Sequence, residues 1–193
     1  WQLTLGVALL ALGILIAIQR GTDGPRIRYS SSERPPLLET ANELRALGIG
    51  YTFLTNNPSK SSTDYVAHLK KMGLTATADE LYTSTQATID HLRTRLPQAR
   101  RLFALGTPSM LSQFRDAGFV LTAEDANDAP DAVVVGFDLT LAYPRVCRAA
   151  WWIQLGKPFV ATNPDFVCPT DQPTVLVDCG SICAMLEKAT GRA

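Results

Sequence analysis

The sequence has few cysteines and no excess of charge of either sign, and both absences exclude whole classes of protein. Four cysteines in 193 residues are too few for a disulfide-stapled scaffold. Eighteen basic and eighteen acidic side chains give a net charge of 0, which argues against a general nucleic-acid binder, because such a protein needs a basic surface. What the chain does have is 46% hydrophobic residues, which is too many for a disordered protein. Its length of 193 residues allows one large domain or two small ones.

Charge is also missing from the start of the chain, where Arg20 is the first charged residue. The apolar run at 5–18 is borderline for a membrane span, which needs about 20 residues. A signal peptide is not indicated, because neither a basic segment before the run nor a small-residue cleavage site is visible, and there is no initiator Met. Two interpretations stay open: residues 1–19 attach the chain to a membrane, or residues 14–18 form a buried first strand of a parallel sheet.

From residue 35 onward, segments with helical spacing alternate with short apolar segments, which is typical of an α/β fold with largely parallel strands. The predicted strands are 49–55, 81–83, 101–105, 119–121, 132–135 and 159–162. The predicted helices are one around 37–47 that ends at Gly48, one from Ser61 or Ser62 to about 71–73, and those at 85–95, 108–117, 143–155 and 181–189. The polar stretch 97–101 predicts a domain boundary.

The segment 51–60 carries the clearest chemical signal. A predicted buried strand brings Thr55 and Asn56 to its carboxyl end, and a helix begins shortly afterwards. Ligands of open α/β sheets bind at this position, and a threonine hydroxyl with amides near a helix N-terminus can hold a phosphate. The same residues also fit an ordinary polar turn that Thr55 caps, so the local pattern leaves both interpretations open.

This segment and several others, which follow one another in the same order as in the family, resemble haloacid-dehalogenase-like phosphatases of the subfamily with a large α/β cap. The segment FLTNNPSK at 53–60 resembles the family's second motif. The other matching segments are the first helix at 37–48, the YTS-x-x-AT segment at 80–88, and three cap landmarks at 132–138, 159–165 and 178–184. The resemblance spans residues 35–192. It implies a partial Rossmann-like core with a parallel sheet at 21–98, an inserted α/β cap at 99–193, and an apolar N-terminal segment at 1–20.

The resemblance also implies an activity: hydrolysis of a small phosphorylated metabolite through an aspartyl-phosphate, with Mg²⁺ offsetting the negative charge. It implies that Thr55 and Asn56 bind phosphate, and that Asn163 and Asp165 belong to a cap loop facing the substrate. Asn-Pro-Asp at 163–165 fits a structural turn equally well. The oligomeric state stays open, with a homodimer through the cap as one option, and the implied location is cytoplasmic.

The sequence departs from the family at the first motif, D-x-D-G-T/V, whose nearest match is GTDGP at 21–25. This register retains Asp23 as a general acid/base and magnesium ligand but puts Gly21 at the nucleophile position, and glycine cannot form an acyl-phosphate. A second register, which ends the strand at 17–19, retains neither carboxylate, and a plain turn at 22–25 also fits. We therefore expect a fragment or degenerate copy that is inactive alone. The alternative is a non-catalytic, membrane-anchored scaffold built on the cap.

Other residues that resemble site residues are weaker indications of a function. The family's G-K-P lysine and last metal-binding carboxylate do not follow the cap, and Lys157 lies in a G-K-P inside it, as a predicted solvated turn residue. Cys168, Cys179 and Cys183 lack the C-x-x-C spacing of zinc sites and are predicted to be buried thiols. His68 and His91 fall on predicted helices and match no catalytic position of the family.

Overall fold

The computed structural model describes residues 34–170 and 172–192. Their contacts divide them into two units, the first formed by residues up to Asn56 and by Ser62–Thr83, the second by Asn57–Ser61 and the chain from Ser84 onward. Gly21, Asp23 and the apolar run at 1–19 lie outside the described residues. Among the residues that are described, no helix is both long and apolar enough to cross a membrane.

The described part of the first unit is a pair of parallel strands packed against helices. Its elements are α1 (Arg34–Ala46), β1 (Phe53–Thr55), α2 (Ser62–Lys71) and β2 (Leu81–Thr83), with a short 3-10 turn at Ala78–Glu80. Gly48 has a φ of +67°, a left-handed conformation that glycine adopts without strain, and it ends the first helix as predicted. The buried side chains form one cluster: Ala41, Phe53, Tyr65, Leu69, Leu74, Ala76 and Leu81.

The second unit is built on a four-stranded, all-parallel sheet of order β4-β3-β5-β6. Its elements are α3 (Ser84–Arg95), β3 (Arg101–Leu105), α4 (Pro108–Asp116), β4 (Val120–Leu121), β5 (Ala132–Val135), α5 (Tyr143–Gln154), β6 (Phe159–Ala161), β7 (Val167–Cys168), β8 (Leu176–Val177) and α6 (Cys179–Thr190). The last two strands pair as an antiparallel ribbon.

Alternation along the two central strands gives this sheet a core on each face. Phe103 and Val133 lie in a cluster with Trp152 of α5 and Leu186 of α6. Their neighbours along the strands point the other way, into a second cluster formed by Ile89, Leu92, Leu102, Ala104, Met110, Phe114, Phe119, Ala132 and Val134. The α/β fold class with parallel sheets is thereby confirmed.

Several element bounds differ from the sequence prediction. The first described strand covers only 53–55, and α6 begins at Cys179, two positions before the predicted 181, because Asp178 caps it. By packing, α3 belongs to the second unit, although the family resemblance places residues 84–98 with the core, because Ile89 and Leu92 contact the cluster around β3. The ribbon β7–β8 was not predicted, because strands of two residues are too short to show an alternating pattern.

Candidate functional site: the carboxyl ends of the parallel strands

Two buried threonines end the two described strands of the first unit. Thr55 is the last residue of β1 and Thr83 the last of β2, and the two are direct partners in the parallel register. Their exposed fractions are 4% and 1%. The Thr55 hydroxyl donates to the hydroxyl oxygen of Tyr65 on α2 at 3.2 Å, which holds its side chain in place. The structure thus places Thr55 at the predicted carboxyl edge, and it adds Thr83, which was not among the predicted site residues.

The residues that follow Asn56 belong to the second unit. Within this loop, at 57–61, the Ser59 N–H donates to Asn57 Oδ1 at 2.8 Å, an Asx turn, and Pro58 is buried. The Thr107 hydroxyl donates to the Ser59 carbonyl at 3.2 Å. The same hydroxyl accepts from the Met110 N–H at 3.3 Å and so caps α4. The loop is therefore tied to a helix N-terminus 48 residues further along the chain.

The strand order of the second unit has a reversal point between β3 and β5. The chain runs from β3 outward to β4 on one side, and from β5 outward to β6 on the other. Gly106 and Gly136 follow these two strands, and a Cβ on either would overlap the side chain of Met110, which crosses above them. Ligands of doubly wound sheets bind at such a reversal, outside the carboxyl ends of the strands.

Asn163 and Asp165, the predicted cap residues, follow β6. Asn163 is 4% exposed, and its Oδ1 accepts from the Asp165 N–H at 3.1 Å, while its side chain also hydrogen-bonds to Asp178. Asp165 is half-buried, and its carbonyl accepts from the Gly180 N–H at 2.8 Å. The structure thus brings both predicted residues together with Asp178 and the start of α6, and it uses Asn163 to build the turn.

The start of α6 perturbs several titrating groups. Burial raises the pKa of Asp178, partly offset by hydrogen bonds from the Cys179 N–H at 2.6 Å and from Asn163. The Cys179 and Cys183 sulfur atoms are 3.8 Å apart, and their hydrogen bond lowers the pKa of Cys179 to about 7 and raises that of Cys183. Burial also raises the pKa of Cys168. The prediction of buried thiols is confirmed for Cys179 and Cys183, whereas Cys168 is half-buried.

Asp138, which follows β5, has a purely internal role in the described structure. Its carboxylate accepts from the Thr140 N–H at 2.8 Å and the Thr140 hydroxyl at 2.9 Å, and it pairs with Arg145 at 3.4 Å. Arg145 in turn donates to the Ala104 carbonyl at 2.7 Å. The buried carboxylate therefore links the end of β5 to β3.

The described residues do not provide a magnesium site. Nowhere in 34–170 or 172–192 do three His, Cys, Asp or Glu side chains converge in a way that could hold a metal ion. Asp23, the predicted magnesium ligand, lies outside these ranges. Lys157 lies half-buried after α5, where its N–H donates to the Trp152 carbonyl at 3.1 Å, and His68 is half-buried and His91 exposed.

Comparison with known sequences assigns the class. The profile of the haloacid dehalogenase-like hydrolases matches residues 35–120, which include both Thr55 and Thr107. With the similar proteins and structures given next, this match shows that the chain belongs to the haloacid dehalogenase-like hydrolase family. The resemblance inferred from the motifs is confirmed.

Curated relatives are phosphatases that are longer than the region they share with this chain. The chain is 34% identical over 139 residues to D-glycerol 3-phosphate phosphatase of Mycobacterium tuberculosis. The aligned region covers 72% of this chain and 39% of that protein. The chain is 30% identical over 158 residues to ribonucleotide monophosphatase NagD of Escherichia coli, covering 82% of this chain and 59% of that protein. The chain thus spans less than two thirds of the length of either relative.

Solved structures agree with these matches. The 4-nitrophenylphosphatase of Thermotoga maritima superposes with a TM-score of 0.74 at 38% identity, over 82% of this chain and 59% of that one. The glycerol phosphate phosphatase of Mycobacterium tuberculosis, crystallised with magnesium, gives 0.72 at 32% identity, over 80% of this chain and 46% of that one.

Proposed function

We propose that the chain is part of a hydrolase of small phosphomonoesters, in which Thr55 and Asn56 bind the phosphoryl group. The observation that carries the proposal is the position of Thr55, buried at the end of β1 and level with Thr83 of the parallel β2. The relatives support the proposal: they are named as phosphatases of glycerol 3-phosphate and of ribonucleotide monophosphates, two substrates that share a phosphate group.

The contact between Thr55 and Tyr65 suits phosphate binding. A hydroxyl has one proton to donate and two lone pairs to accept with. Phosphate binding reverses the bond: Tyr65 then donates to Thr55 across the 3.2 Å contact, and the Thr55 proton becomes available to a phosphoryl oxygen. In this role Tyr65 orients the Thr55 side chain, and the phosphoryl group is bound by Thr55 and Asn56 at the end of β1.

Under this proposal the two cap residues Asn163 and Asp165 have different roles. The Asp165 carboxylate, which is half-buried, faces the leaving group, and Asn163 orders the loop through its bonds to Asp165 and Asp178. Asp23 stays the proposed acid/base residue and magnesium ligand. With Gly21 at the nucleophile position, the sequence as it stands binds a phosphomonoester without hydrolysing it.

Binding of 4-nitrophenyl phosphate, measured by isothermal titration calorimetry, tests this proposal. We expect one site, an affinity about tenfold weaker in Thr55→Val and Asn56→Ala, and no release of 4-nitrophenolate with or without Mg²⁺. Thr94→Val is the matched control, because the Thr94 hydroxyl bonds only within α3, to the Asp90 carbonyl at 2.8 Å and the His91 carbonyl at 3.2 Å. Unchanged affinity in both site variants would exclude the phosphate site, and magnesium-dependent turnover would exclude the inactive state.

We also propose that two copies associate through the ribbon β7–β8. Val167 and Val177 are cross-strand partners on this ribbon and are 53% and 56% exposed, and Phe166 beside them is 63% exposed. Exposed apolar side chains on a short antiparallel pair favour burial against a second copy. Sedimentation velocity is expected to show a dimer that Val177→Asp dissociates, and a monomer at all concentrations would contradict the proposal.

A further inference from the structure

At the reversal point of the second unit's sheet, where a doubly wound fold binds its ligand, the chain's own loop at 57–61 contacts the first residue after Gly106. The N-terminus of α4 follows β3 directly, and Thr107 caps it. The group that reaches this cap is the Ser59 carbonyl, 3.2 Å from the Thr107 hydroxyl. Residues 57–61 therefore pack with the second unit, although they follow the proposed phosphate-binding residues of the first.

The Thr107 side chain is fully used by these contacts. Its hydroxyl accepts from the Met110 N–H at 3.3 Å and donates its single proton to Ser59. Its backbone N–H donates to the Phe137 carbonyl at 3.2 Å, so the residue is held from both sides of the reversal point. Thr107 is 7% exposed, which keeps water from competing for the bond to Ser59.

We infer that Thr107 is a positioning residue for phosphate binding, because it fixes the loop at 57–61 and thereby the backbone that carries Asn56. Asn57 is covalently joined to Asn56 and its side chain closes an Asx turn with Ser59, so anchoring the Ser59 carbonyl restrains the preceding peptide as well. This inference rests on the proposed function and adds a residue that orders the loop directly after Asn56.

The contact exceeds what a helix cap needs. Capping of α4 requires only that the side chain accept from Met110, and an aspartate in this position would do the same. The donated bond to Ser59 serves the loop instead. Thr107→Asp therefore keeps the cap and removes the loop contact, Thr107→Ser keeps both, and Thr107→Val removes both.

Two measurements on the full chain test the inference: the affinity for inorganic phosphate, and hydrogen exchange of the Ser59, Lys60 and Ser61 amides. In Thr107→Val we expect phosphate binding about tenfold weaker and faster exchange at these three amides. Thr107→Ser should restore both, and Thr107→Asp should reproduce the faster exchange while still folding. Thr88→Val is the matched control, since Thr88 is equally buried and its hydroxyl bonds within α3, to the Ser84 carbonyl at 2.8 Å.

Unchanged exchange at 59–61 in both Thr107→Val and Thr107→Asp would overturn the inference, as would an equal response in Thr88→Val. If the unaltered chain does not bind inorganic phosphate, the proposed function fails, and the exchange measurement still decides whether Thr107 anchors the loop. If phosphate binds and Thr107→Val binds it equally well, the positioning role fails and the proposed function stands.

Discussion

The two units differ in how far the faces of their parallel sheets are covered by packed side chains. In the second unit, Phe103 and Leu102 of one strand point into two separate buried clusters, so helices cover both faces of the parallel sheet. The described part of the first unit forms a single cluster around Phe53, on a sheet of two strands. Because parallel strands are stable only when both faces are covered, and pairs of strands are marginal alone, we expect the second unit to be the more stable one.

Truncation of one core phenylalanine in each unit gives the largest expected effect. Phe103→Ala and Phe53→Ala each remove a side chain that is 1% exposed, which costs about 3–5 kcal/mol of unfolding free energy. We expect Phe103→Ala to raise amide exchange throughout β3 and β5, whereas Phe53→Ala raises it in β1 and β2 only. Urea unfolding with site-resolved exchange measures both, and equal protection of the two sheets in the unaltered chain would contradict the difference in stability.

A methyl group on Gly180 tests how tightly the loop after β6 packs on α6. A Cβ there would overlap the Pro164 carbonyl and lie 2.9 Å from the Asp165 carbonyl oxygen, both of them backbone atoms. Gly180→Ala should therefore cost about 1–3 kcal/mol and displace residues 163–165. Gly50→Ala in the first unit is the control, because nothing lies within 4 Å of its Cβ position. Equal melting temperatures for the two variants would refute the close packing.

Removing the cap of α6 should have a smaller effect. Asp178→Ala loses the bond to the Cys179 N–H and should cost about 1 kcal/mol, while Asp178→Asn should cost less. Because burial raises the pKa of Asp178, the folded state binds its proton more tightly than the unfolded state does. Its contribution to stability therefore grows as the pH falls through the folded pKa. Urea unfolding across the acid range would disprove this if Asp178→Asn left the pH profile unchanged.

The stability contribution of Asp131 should depend on pH in the opposite direction to that of Asp178, and it should be the smallest of these effects. Hydrogen bonds from the Arg100 N–H, at 2.7 Å, and from the Arg101 N–H, at 2.8 Å, lower the pKa of its carboxyl group, against the effect of burial. A lowered pKa contributes stability above the unfolded value, and that contribution is lost as the pH falls through the folded pKa. Asp131→Asn should therefore flatten the acid side of the stability profile as the pH falls below about 4, the ordinary pKa of an aspartate. A profile as steep as that of the unaltered chain would count against this assignment.

Local pattern was sufficient for β3 and β5, which are buried on both faces, and for β2, in which Tyr82 is exposed. The bounds of β2, β3 and β5 agree with the predicted 81–83, 101–105 and 132–135, because continuous apolar or β-branched runs there end at polar residues or glycine. The ribbon β7–β8 was missed because its strands have two residues each, too few to show an alternating pattern. Asn163 shows the same limit for sites: its sequence fits a turn and a binding loop equally, and contacts with Asp178, which is distant in sequence, give it a structural task.

The sequence by itself determined the family, the order of helices and strands, and the position of Thr55 and Asn56 at the end of a strand, because these depend on short segments whose side-chain periodicity and motifs are local. Only the tertiary structure decided that Thr83 lies level with Thr55 and that Thr107 holds the Ser59 carbonyl. Each of these contacts joins residues far apart in the chain, through the pairing of parallel strands in one case and the approach of a loop to a helix N-terminus in the other, so no local pattern encodes them.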